Sequence, residues 1–296
     1  MRIGIDLGGT KIEVAVIDAD GRFVDRRRTP NPRDYGAMLE SIADLIQAAE
    51  STTGAAFDRV GLSIPGSPSP STGLIRNANS TFINGRPLAA DLSARLGRDV
   101  RLANDANCMA LSEATDGAGA GYRTVFGVIA GTGLGGGLVV DGKVLAGLNG
   151  VAGEWGHIPL PDPREGEMTQ CWCGRRNCLE TWLSGSGLQR DFQAVTGEAI
   201  KAEDIIERAR TGDPAAGAAL DRLVERFGRA LGLVVNLFDP ELIVIAGGLS
   251  NVPEIIAGAG EALNPHVFSD EASTPVVAAM HGDSSGVRGA AWLWPA

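Results

Sequence analysis

Cysteine is rare in this sequence. Only four of the 296 residues are cysteine, and three of them, Cys171, Cys173 and Cys178, are clustered. So few thiols exclude the class of small secreted domains held by disulfides, and clustered thiols are more typical of a metal site in a reducing compartment. The sequence therefore favours a cytoplasmic protein. The fourth cysteine, Cys108, lies in the apolar stretch 106–111 and is expected to be a buried core thiol.

Long apolar runs are also absent. The most apolar stretch, residues 231–248, is interrupted by Asn236, Asp239, Pro240 and Glu241, so it is not expected to span a bilayer. The first residues already alternate like a β-strand, with no basic region and apolar core before them, so we expect no signal peptide. The sequence predicts a protein without a membrane partner.

Basic residues are outnumbered by acidic ones. Lys and Arg total 26 against 36 Asp and Glu, which gives a formal net charge of −10. Proteins bind nucleic-acid backbones through basic surfaces, so this acidic chain is not expected to have a nucleic-acid partner. An anionic substrate must instead be held locally, by backbone N–H groups or by a metal ion.

One pattern occurs twice along the chain. Residues 2–28 and residues 124–146 both show a strand, a glycine-rich turn, a second strand, an acidic-glycine turn and a third strand. We interpret the repeat as an internal duplication in an α/β protein, with a ligand between the two halves. The expected domains are residues 1–117 and 118–282, and a short apolar helix at about 283–296 is expected to dock back on the first domain.

Four potential metal ligands lie close together in the second half. His157, Cys171, Cys173 and Cys178 fall within 22 residues, and Gly174 allows a tight turn between the second and third cysteines. Three thiolates and an imidazole are a ligand set that zinc takes in tetrahedral structural sites. The sequence therefore predicts a zinc-bound loop.

Three glycine-rich turns follow predicted strands: Gly8-Gly9-Thr10, Gly131-Thr132-Gly133 and Gly247-Gly248. Glycine lets backbone N–H groups approach a phosphate closely, although a single such turn is usually only a turn. Gly131, Gly133 and Gly136 match a dinucleotide-binding pattern, but that motif must open a helix and a strand is predicted here, so we reject it.

Two acidic positions lie where strands end. Asp105, in the segment LANDAN, is either the N-cap of the following helix or a carboxylate that accepts a proton from an attacking hydroxyl. Asp6, before the first glycine turn, either orients Mg²⁺ through water or caps the backbone of Gly8 or Gly9. The residues alone leave both alternatives open.

Seven segments together resemble a known family. IDLGGTK, SIPG, LANDANC, GTGLGGG, GEWGH, CWCGRRNCLE and IAGG occur in this order in the ROK family (repressor, open reading frame, kinase), and the resemblance covers essentially the whole chain. It implies the actin-like ATPase (hexokinase-type) fold, with two duplicated domains around a central cleft. It also implies ATP, Mg²⁺ and structural Zn²⁺ as cofactors.

The resemblance implies roles for individual residues. Asp105 matches the base that deprotonates the sugar 6-hydroxyl. The positions that match sugar contacts are Asn79, Asn104, Asp105, Glu154, His157 and Glu180. Those that match the ATP site are Asp6, Gly8, Gly9, Thr10, Lys11, Gly131, Thr132, Gly133, Gly247 and Gly248. His157, Cys171, Cys173 and Cys178 match the zinc ligands. Asn177 replaces a glycine of the family motif, and Asn tolerates left-handed backbone well enough to keep the zinc site.

The resemblance also suggests a substrate. The segments NANSTFING and HGDSSGVRGAAWLWP look most like those of bacterial fructokinases (mannofructokinases), which implies ATP-dependent phosphorylation of D-fructose to fructose 6-phosphate. N-acetylglucosamine kinases and glucokinases carry similar motifs and are the alternatives, and the part of residues 76–86 that reads the sugar is left open. A sugar-sensing repressor is a remote alternative, since no helix-turn-helix precedes the first strand. A homodimer is expected by resemblance only.

Overall fold

The chain passes back and forth between two structural units. The computed structural model describes residues 1–164 and 168–295. The first unit contains Met1–Gly121, Gly137–Ala152 and the chain from His281 onward, and the second contains Tyr122–Gly136 and Gly153–Met280. The domain boundaries expected from the sequence remain predictions.

The first part of the chain forms a five-stranded sheet, a two-stranded sheet and three helices. Its strands are β1 (Arg2–Leu7), β2 (Lys11–Ile17), β3 (Phe23–Pro30), β4 (Arg59–Ile64), β5 (Ser67–Pro68), β6 (Ile75–Arg76) and β7 (Asp99–Asn104). Its helices are α1 (Tyr35–Thr53), α2 (Leu88–Leu96) and α3 (Asp105–Asp116). Helix α1 begins at the Asp34 side chain, which accepts a hydrogen bond from the Ala37 N–H, and ends at Gly54, whose φ is 67°.

The remaining chain repeats this alternation. Its strands are β8 (Thr124–Ala130), β9 (Leu134–Val140), β10 (Lys143–Val144), β11 (Leu242–Ala246) and β12 (Val276–Ala278). Its helices are α4 (Gly185–Thr196), α5 (Ala202–Arg210), α6 (Pro214–Phe238), α7 (Pro253–Ala262) and α8 (Ser285–Trp292). Short 3₁₀ helices are Thr81–Ile83, Trp155–His157, Leu179–Thr181, Gly248–Asn251, Asn264–His266 and Gly282–Ser284. Within the described ranges, none of the helices has the length and apolar character needed to cross a bilayer.

The two main sheets have the same topology. The first has the order β3-β2-β1-β4-β7, and the second has the order β10-β9-β8-β11-β12. In the first sheet, β1 pairs with the parallel strand β4, and β4 pairs with the parallel edge strand β7. In the second sheet, β8 pairs in the same way with β11, and β11 with the edge strand β12. The repeated strand-turn-strand pattern in the sequence therefore corresponds to two copies of one five-stranded arrangement.

Helix α8 packs directly on backbone in the first unit. It contacts β1, β4 and α3, and glycine makes this approach possible at each contact. A Cβ atom on Gly61 would lie 1.7 Å from the Ala290 carbonyl oxygen, and one on Gly289 would lie 1.7 Å from the Cys108 carbonyl oxygen. The C-terminal apolar segment thus packs within the first unit.

Gly61→Ala is expected to lower the free energy of unfolding by about 3 kcal/mol or more. The methyl group added to β4 would meet the rigid backbone of α8 at Ala290. Urea titration followed by circular dichroism measures this change. Gly217→Ala is the matched control: its Cβ has open space in α6, so alanine should leave stability unchanged or raise it by about 1 kcal/mol. Equal unfolding midpoints for Gly61→Ala and the wild type would contradict this packing of α8.

Candidate active site

In the first unit, the carboxyl ends of neighbouring parallel strands bring Asp6 and Ser63 together. Asp6 on β1 is paired in register with Ser63 on β4, and the Ser63 hydroxyl donates a hydrogen bond to Asp6 Oδ1 at 2.7 Å. Burial raises the pKa of Asp6, and the Ser63 hydrogen bond opposes this shift. No hydrogen bond from Gly8 or Gly9 to the Asp6 side chain is present among the described residues, so the turn-capping alternative is not supported. Ser63 lies in the SIPG motif, whose sequence alone does not indicate a contact with Asp6.

Asn104 and Asp105 occupy the junction between β7 and α3. Asn104 is the N-cap of α3: its side-chain oxygen accepts from the Ala106 N–H at 2.9 Å, and its amide donates to the Gly66 carbonyl at 3.1 Å. Asp105 is the first residue of the helix rather than its cap, and its exposed side chain also accepts from the Ala106 N–H. The N-cap alternative for Asp105 is therefore wrong, because the residue before it performs that function.

A buried thiol lies in the same part of the first unit, with Cys108 Sγ 3.9 Å from the Ala103 carbonyl oxygen on β7. Cys108 is fully buried, and its pKa is raised well above the usual range, first by burial and then by the negative charges of Asp6 and Asp105. The strand registers place Asp6 on β1 and Asn104, which precedes Asp105, on β7, with β4 between these two strands. The fold gathers Asp6, from the start of the chain, and Asp105 at one edge of the first sheet.

The first glycine turn is a hairpin between β1 and β2. The Gly8 N–H donates to the Lys11 carbonyl at 2.9 Å, while Asn31 and Arg33 donate side-chain hydrogen bonds to the Gly8 and Gly9 carbonyls at 2.8 and 3.2 Å. The local sequence does not indicate these two hydrogen bonds, because Asn31 and Arg33 lie more than 20 positions from the glycines that they contact. Thr10, at the tip, is exposed.

The segment that contains Asn79 borders this hairpin. A Cβ on Gly9 would lie 3.5 Å from the Ser80 hydroxyl, and the neighbouring Asn79 side chain is exposed. Asn84 stabilises the loop locally, because its side chain bonds both the N–H and the carbonyl of Ala78 at 3.0 and 2.8 Å. Part of this segment's sequence is thus explained by loop geometry alone.

In the second unit, the other two glycine turns lie together at the ends of β8 and β11. The Gly131 N–H donates to the Gly133 carbonyl at 3.0 Å, and a Cβ on Gly247 would lie 2.6 Å from the Ala130 carbonyl oxygen. The Gly185 N–H at the start of α4 donates to the Gly131 carbonyl at 2.7 Å, so this helix supports the turn. Ser184, the N-cap of α4, followed by Leu188 and Phe192 at helical spacing, was the available sequence signal.

The predicted zinc ligands converge. Two backbone hydrogen bonds, from Leu179 to Ile158 at 2.9 Å and from Leu160 to Asn177 at 2.8 Å, pair the chain after His157 with the chain around Cys178. The candidate ligand atoms of His157, Cys171, Cys173 and Cys178 all lie within 4.8 Å of one another.

These distances match a tetrahedral metal site. With a Zn–S distance of about 2.3 Å, tetrahedral geometry separates sulfur ligands by about 3.8 Å. The Cys173 and Cys178 sulfur atoms are 3.6 Å apart, and Cys171 Sγ lies 3.8 Å from His157 Nδ1. Three thiols and an imidazole at this spacing form a donor set that fits Zn²⁺.

Asn177 accommodates the turn before the last cysteine. Its φ is 62°, in the left-handed region, and its buried side-chain oxygen accepts from the Trp182 indole N–H at 2.7 Å. The departure from glycine at this position is therefore compensated by a hydrogen bond that glycine lacks.

Glu180 and Glu154 flank this loop. Glu180 Oε2 accepts from the Leu134 N–H at 3.1 Å, and it packs so closely on Gly133 that a Cβ there would lie 2.6 Å away. Glu154 precedes Trp155, whose buried ring packs edge-on against Phe126 and whose N–H donates to the Gly135 carbonyl at 3.0 Å. The Glu180 carboxylate is thus anchored next to β9, and Glu154, beside the anchored Trp155, lies in the same unit, as does His157.

One protein family matches the sequence from end to end. The model of the ROK family covers residues 2–296. The chain belongs to the ROK family. It is 40% identical to the N-acetyl-D-glucosamine kinase of Escherichia coli O9:H4 (strain HS) over 300 residues, which cover 99% of each chain.

Two solved structures are also similar. The ROK hexokinase of Thermus thermophilus superposes with a TM-score of 0.89 at 30% identity, over 99% of this chain and 97% of that one. A ROK family glucokinase from Streptomyces griseus, in complex with glucose and AMPPNP, superposes with a TM-score of 0.79 at 29% identity, over 98% and 97%. The expectation of a ROK-family sugar kinase with the hexokinase-type fold is confirmed.

The prediction of D-fructose as the substrate is wrong. Full-length similarity at 40% identity is to an N-acetyl-D-glucosamine kinase. The two segments on which the fructokinase prediction rested make structural contacts. The C-terminal segment forms α8, which packs on β1 and β4, and Asn84 of NANSTFING forms hydrogen bonds within its own loop. Such contacts select similar residues whichever sugar is bound.

Proposed function

We propose that this protein phosphorylates N-acetyl-D-glucosamine at its 6-hydroxyl with ATP, forming N-acetylglucosamine 6-phosphate and ADP. The observation that carries the proposal is the 40% identity to an N-acetyl-D-glucosamine kinase over 99% of both chains. The similar Streptomyces griseus glucokinase was solved with glucose and AMPPNP bound, which supports a sugar and a nucleotide as the pair of substrates.

Asp105 is the proposed general base. Its side chain is exposed at the carboxyl end of β7, and its hydrogen bond to the Ala106 N–H fixes it at the start of α3. The proton of the sugar 6-hydroxyl passes to Asp105 while the oxygen forms a bond to the γ-phosphorus of ATP. The bond between that phosphorus and the β,γ-bridging oxygen breaks, and ADP leaves with its electron pair.

The glycine turns and Asp6 are proposed to hold the nucleotide. Backbone N–H groups in the turns at Gly8–Lys11 and Gly131–Gly133 suit phosphate oxygens, and Gly247 and Gly248 suit the adenosine side. Mg²⁺, when bound, neutralises charge on the transferred phosphoryl group. Asp6 is the proposed group that orients the water ligands of Mg²⁺, because Ser63 donates to Oδ1 and, within the described ranges, Oδ2 has no hydrogen-bond partner.

The zinc-binding loop is proposed to hold the sugar-recognition groups. His157 Nδ1 faces Cys171 Sγ, so a metal bound through Nδ1 leaves Nε2 to contact a sugar hydroxyl. Glu154 and Glu180 are the accompanying carboxylates, and Asn79 and Asn104 are the proposed sugar contacts in the first unit. Zn²⁺, when bound by His157 and the three cysteines of this loop, would order the sugar-binding side chains and would take no part in phosphoryl transfer.

A cavity in the first unit offers room for an acetamido group. It has a volume of about 820 Å³, and its lining includes Ser67, Pro68, Pro70, Asn104, Leu111 and Trp292. Because Asn104 lies on its wall, a sugar bound to Asn104 has space beside it for a substituent larger than a hydroxyl. The proline and leucine side chains suit the methyl group of that substituent.

The proposal predicts that kcat/KM for N-acetylglucosamine exceeds that for fructose by at least about tenfold, since an acetamido pocket left unfilled loses binding to the transition state. A coupled ADP-release assay with N-acetylglucosamine, glucose, mannose, N-acetylmannosamine and fructose measures this ratio. ATP turnover without any sugar is the control and should be far slower. A highest kcat/KM with glucose would favour a glucokinase, and sugar-independent ATP hydrolysis would contradict a kinase.

The homodimer remains a prediction.

A further inference from the structure

One tryptophan in the cysteine loop is neither buried nor explained by zinc binding. Trp172 lies between Cys171 and Cys173, and 70% of it is exposed. Other large apolar side chains, such as Phe268 and Leu148, are even more exposed, so exposure alone assigns Trp172 no role. Yet its ring packs edge-on against the His157 ring, with centroids 5.1 Å apart and an interplanar angle of 85°.

The indole N–H of this tryptophan has a definite partner. It donates a hydrogen bond to Glu180 Oε1, while Glu180 Oε2 accepts from the Leu134 N–H at 3.1 Å. The two oxygens of one carboxylate are therefore held by donors from two different segments, the cysteine loop and β9. Two such donors fix both the position and the plane of the carboxylate.

The remaining hydrogen-bonding capacity of Glu180 suits a sugar. An ionised carboxylate has about four acceptor sites, and Trp172 and Leu134 occupy one on each oxygen. Within the part of the chain that the structure describes, one site on each oxygen is left to accept from a hydroxyl group. A carboxylate held in a fixed plane presents these sites without losing rotamer freedom when the sugar binds.

We propose that Trp172 is a positioning residue, which orients Glu180 for sugar recognition and links that carboxylate to the metal-binding loop. The proposal rests on the sugar-kinase function proposed above. Ring packing against His157 places the indole, and the indole N–H then sets the carboxylate. The side chain acts on sugar binding and not on phosphoryl transfer.

Trp172→Phe tests the hydrogen bond by itself, because phenylalanine keeps an aromatic ring beside His157 and removes the N–H donor. The sugar KM is expected to rise about tenfold, which corresponds to about 1.4 kcal/mol. Both kcat and the KM for ATP should stay within about threefold, as for a loss of uniform binding. The zinc content of the purified variant, measured by elemental analysis, should equal that of the wild type.

Trp294→Phe is the matched control. It also removes an indole N–H, one that donates to the Val60 carbonyl at 3.0 Å, but it lies in the first unit and outside the proposed site. Its sugar KM should be that of the wild type. Trp172→Ala, which removes ring and donor together, should raise the sugar KM at least as much as Trp172→Phe.

An unchanged sugar KM in Trp172→Phe would overturn the proposal, whether or not Trp172→Ala raises the sugar KM. A rise in the sugar KM of Trp172→Phe that is accompanied by a loss of zinc would also overturn it. A wild-type protein without sugar turnover would overturn the proposed function instead. The pairing is then tested separately, by the indole N–H resonance of Trp172 in ¹⁵N NMR spectra. This resonance should shift in Glu180→Gln, and a resonance that does not move would refute the pairing.

Discussion

Asp105→Asn is expected to lower kcat by about 10²- to 10⁴-fold, the range typical of a lost general base. The amide cannot accept the proton of the sugar 6-hydroxyl, whereas the positions of both substrates stay the same. Sugar binding, measured by calorimetry without ATP, should therefore remain within a few-fold of the wild type. The structure explains why the variant should fold: Asn104, not Asp105, is the N-cap of α3.

Asp99→Asn is the matched control for this prediction. Asp99 is exposed at the opposite end of the same strand, β7, so the same chemical change there should leave kcat within about twofold. Near-normal turnover in Asp105→Asn would contradict its role as the base. A loss of turnover that is accompanied by a loss of sugar affinity would show instead that Asp105 acts mainly in binding.

Removal of the metal from the cysteine loop should have the second largest effect. Cys173→Ser deletes one of the four converging ligand atoms, so the zinc content is expected to fall from about one ion per chain to nearly none. Glu154, His157 and Glu180 then lose their support, and the sugar KM should rise by about 10- to 100-fold, as when groups that orient a metal site are removed. The thermal midpoint should fall, because metal binding is coupled to folding of its loop.

Nucleotide affinity separates a local effect from general unfolding. The turns at Gly8–Lys11 and Gly131–Gly133 are not built from the metal ligands, so the KM for ATP should change little in Cys173→Ser. Cys108→Ala is the control for zinc content, since this buried cysteine lies outside the cluster and its loss should leave the bound metal unchanged. An unchanged sugar KM in a verified zinc-free protein would assign the cluster a purely structural role.

Local patterns made much of the fold predictable. Residues close in sequence formed the repeated strand-turn-strand units and the C-terminal helix α8, because alternation and helical spacing act over a few residues. Helices α2, α4 and α5 were not predicted. Helix α2 has only nine residues, α4 buries only two large apolar side chains, Leu188 and Phe192, and α5 carries five charged residues among its nine, so none has a long apolar stripe.

The sequence by itself determined the family, and it placed four potential metal ligands close together and two acidic residues at strand ends, because each of these depends on residue types at fixed spacing. Tertiary structure alone decided which groups meet: Asp6 with Ser63, Glu180 with Gly133 and Trp172, and the glycines under α8. The physical reason is that these contacts join segments far apart in the chain, where close packing and hydrogen-bond geometry, and not local preference, select the residue.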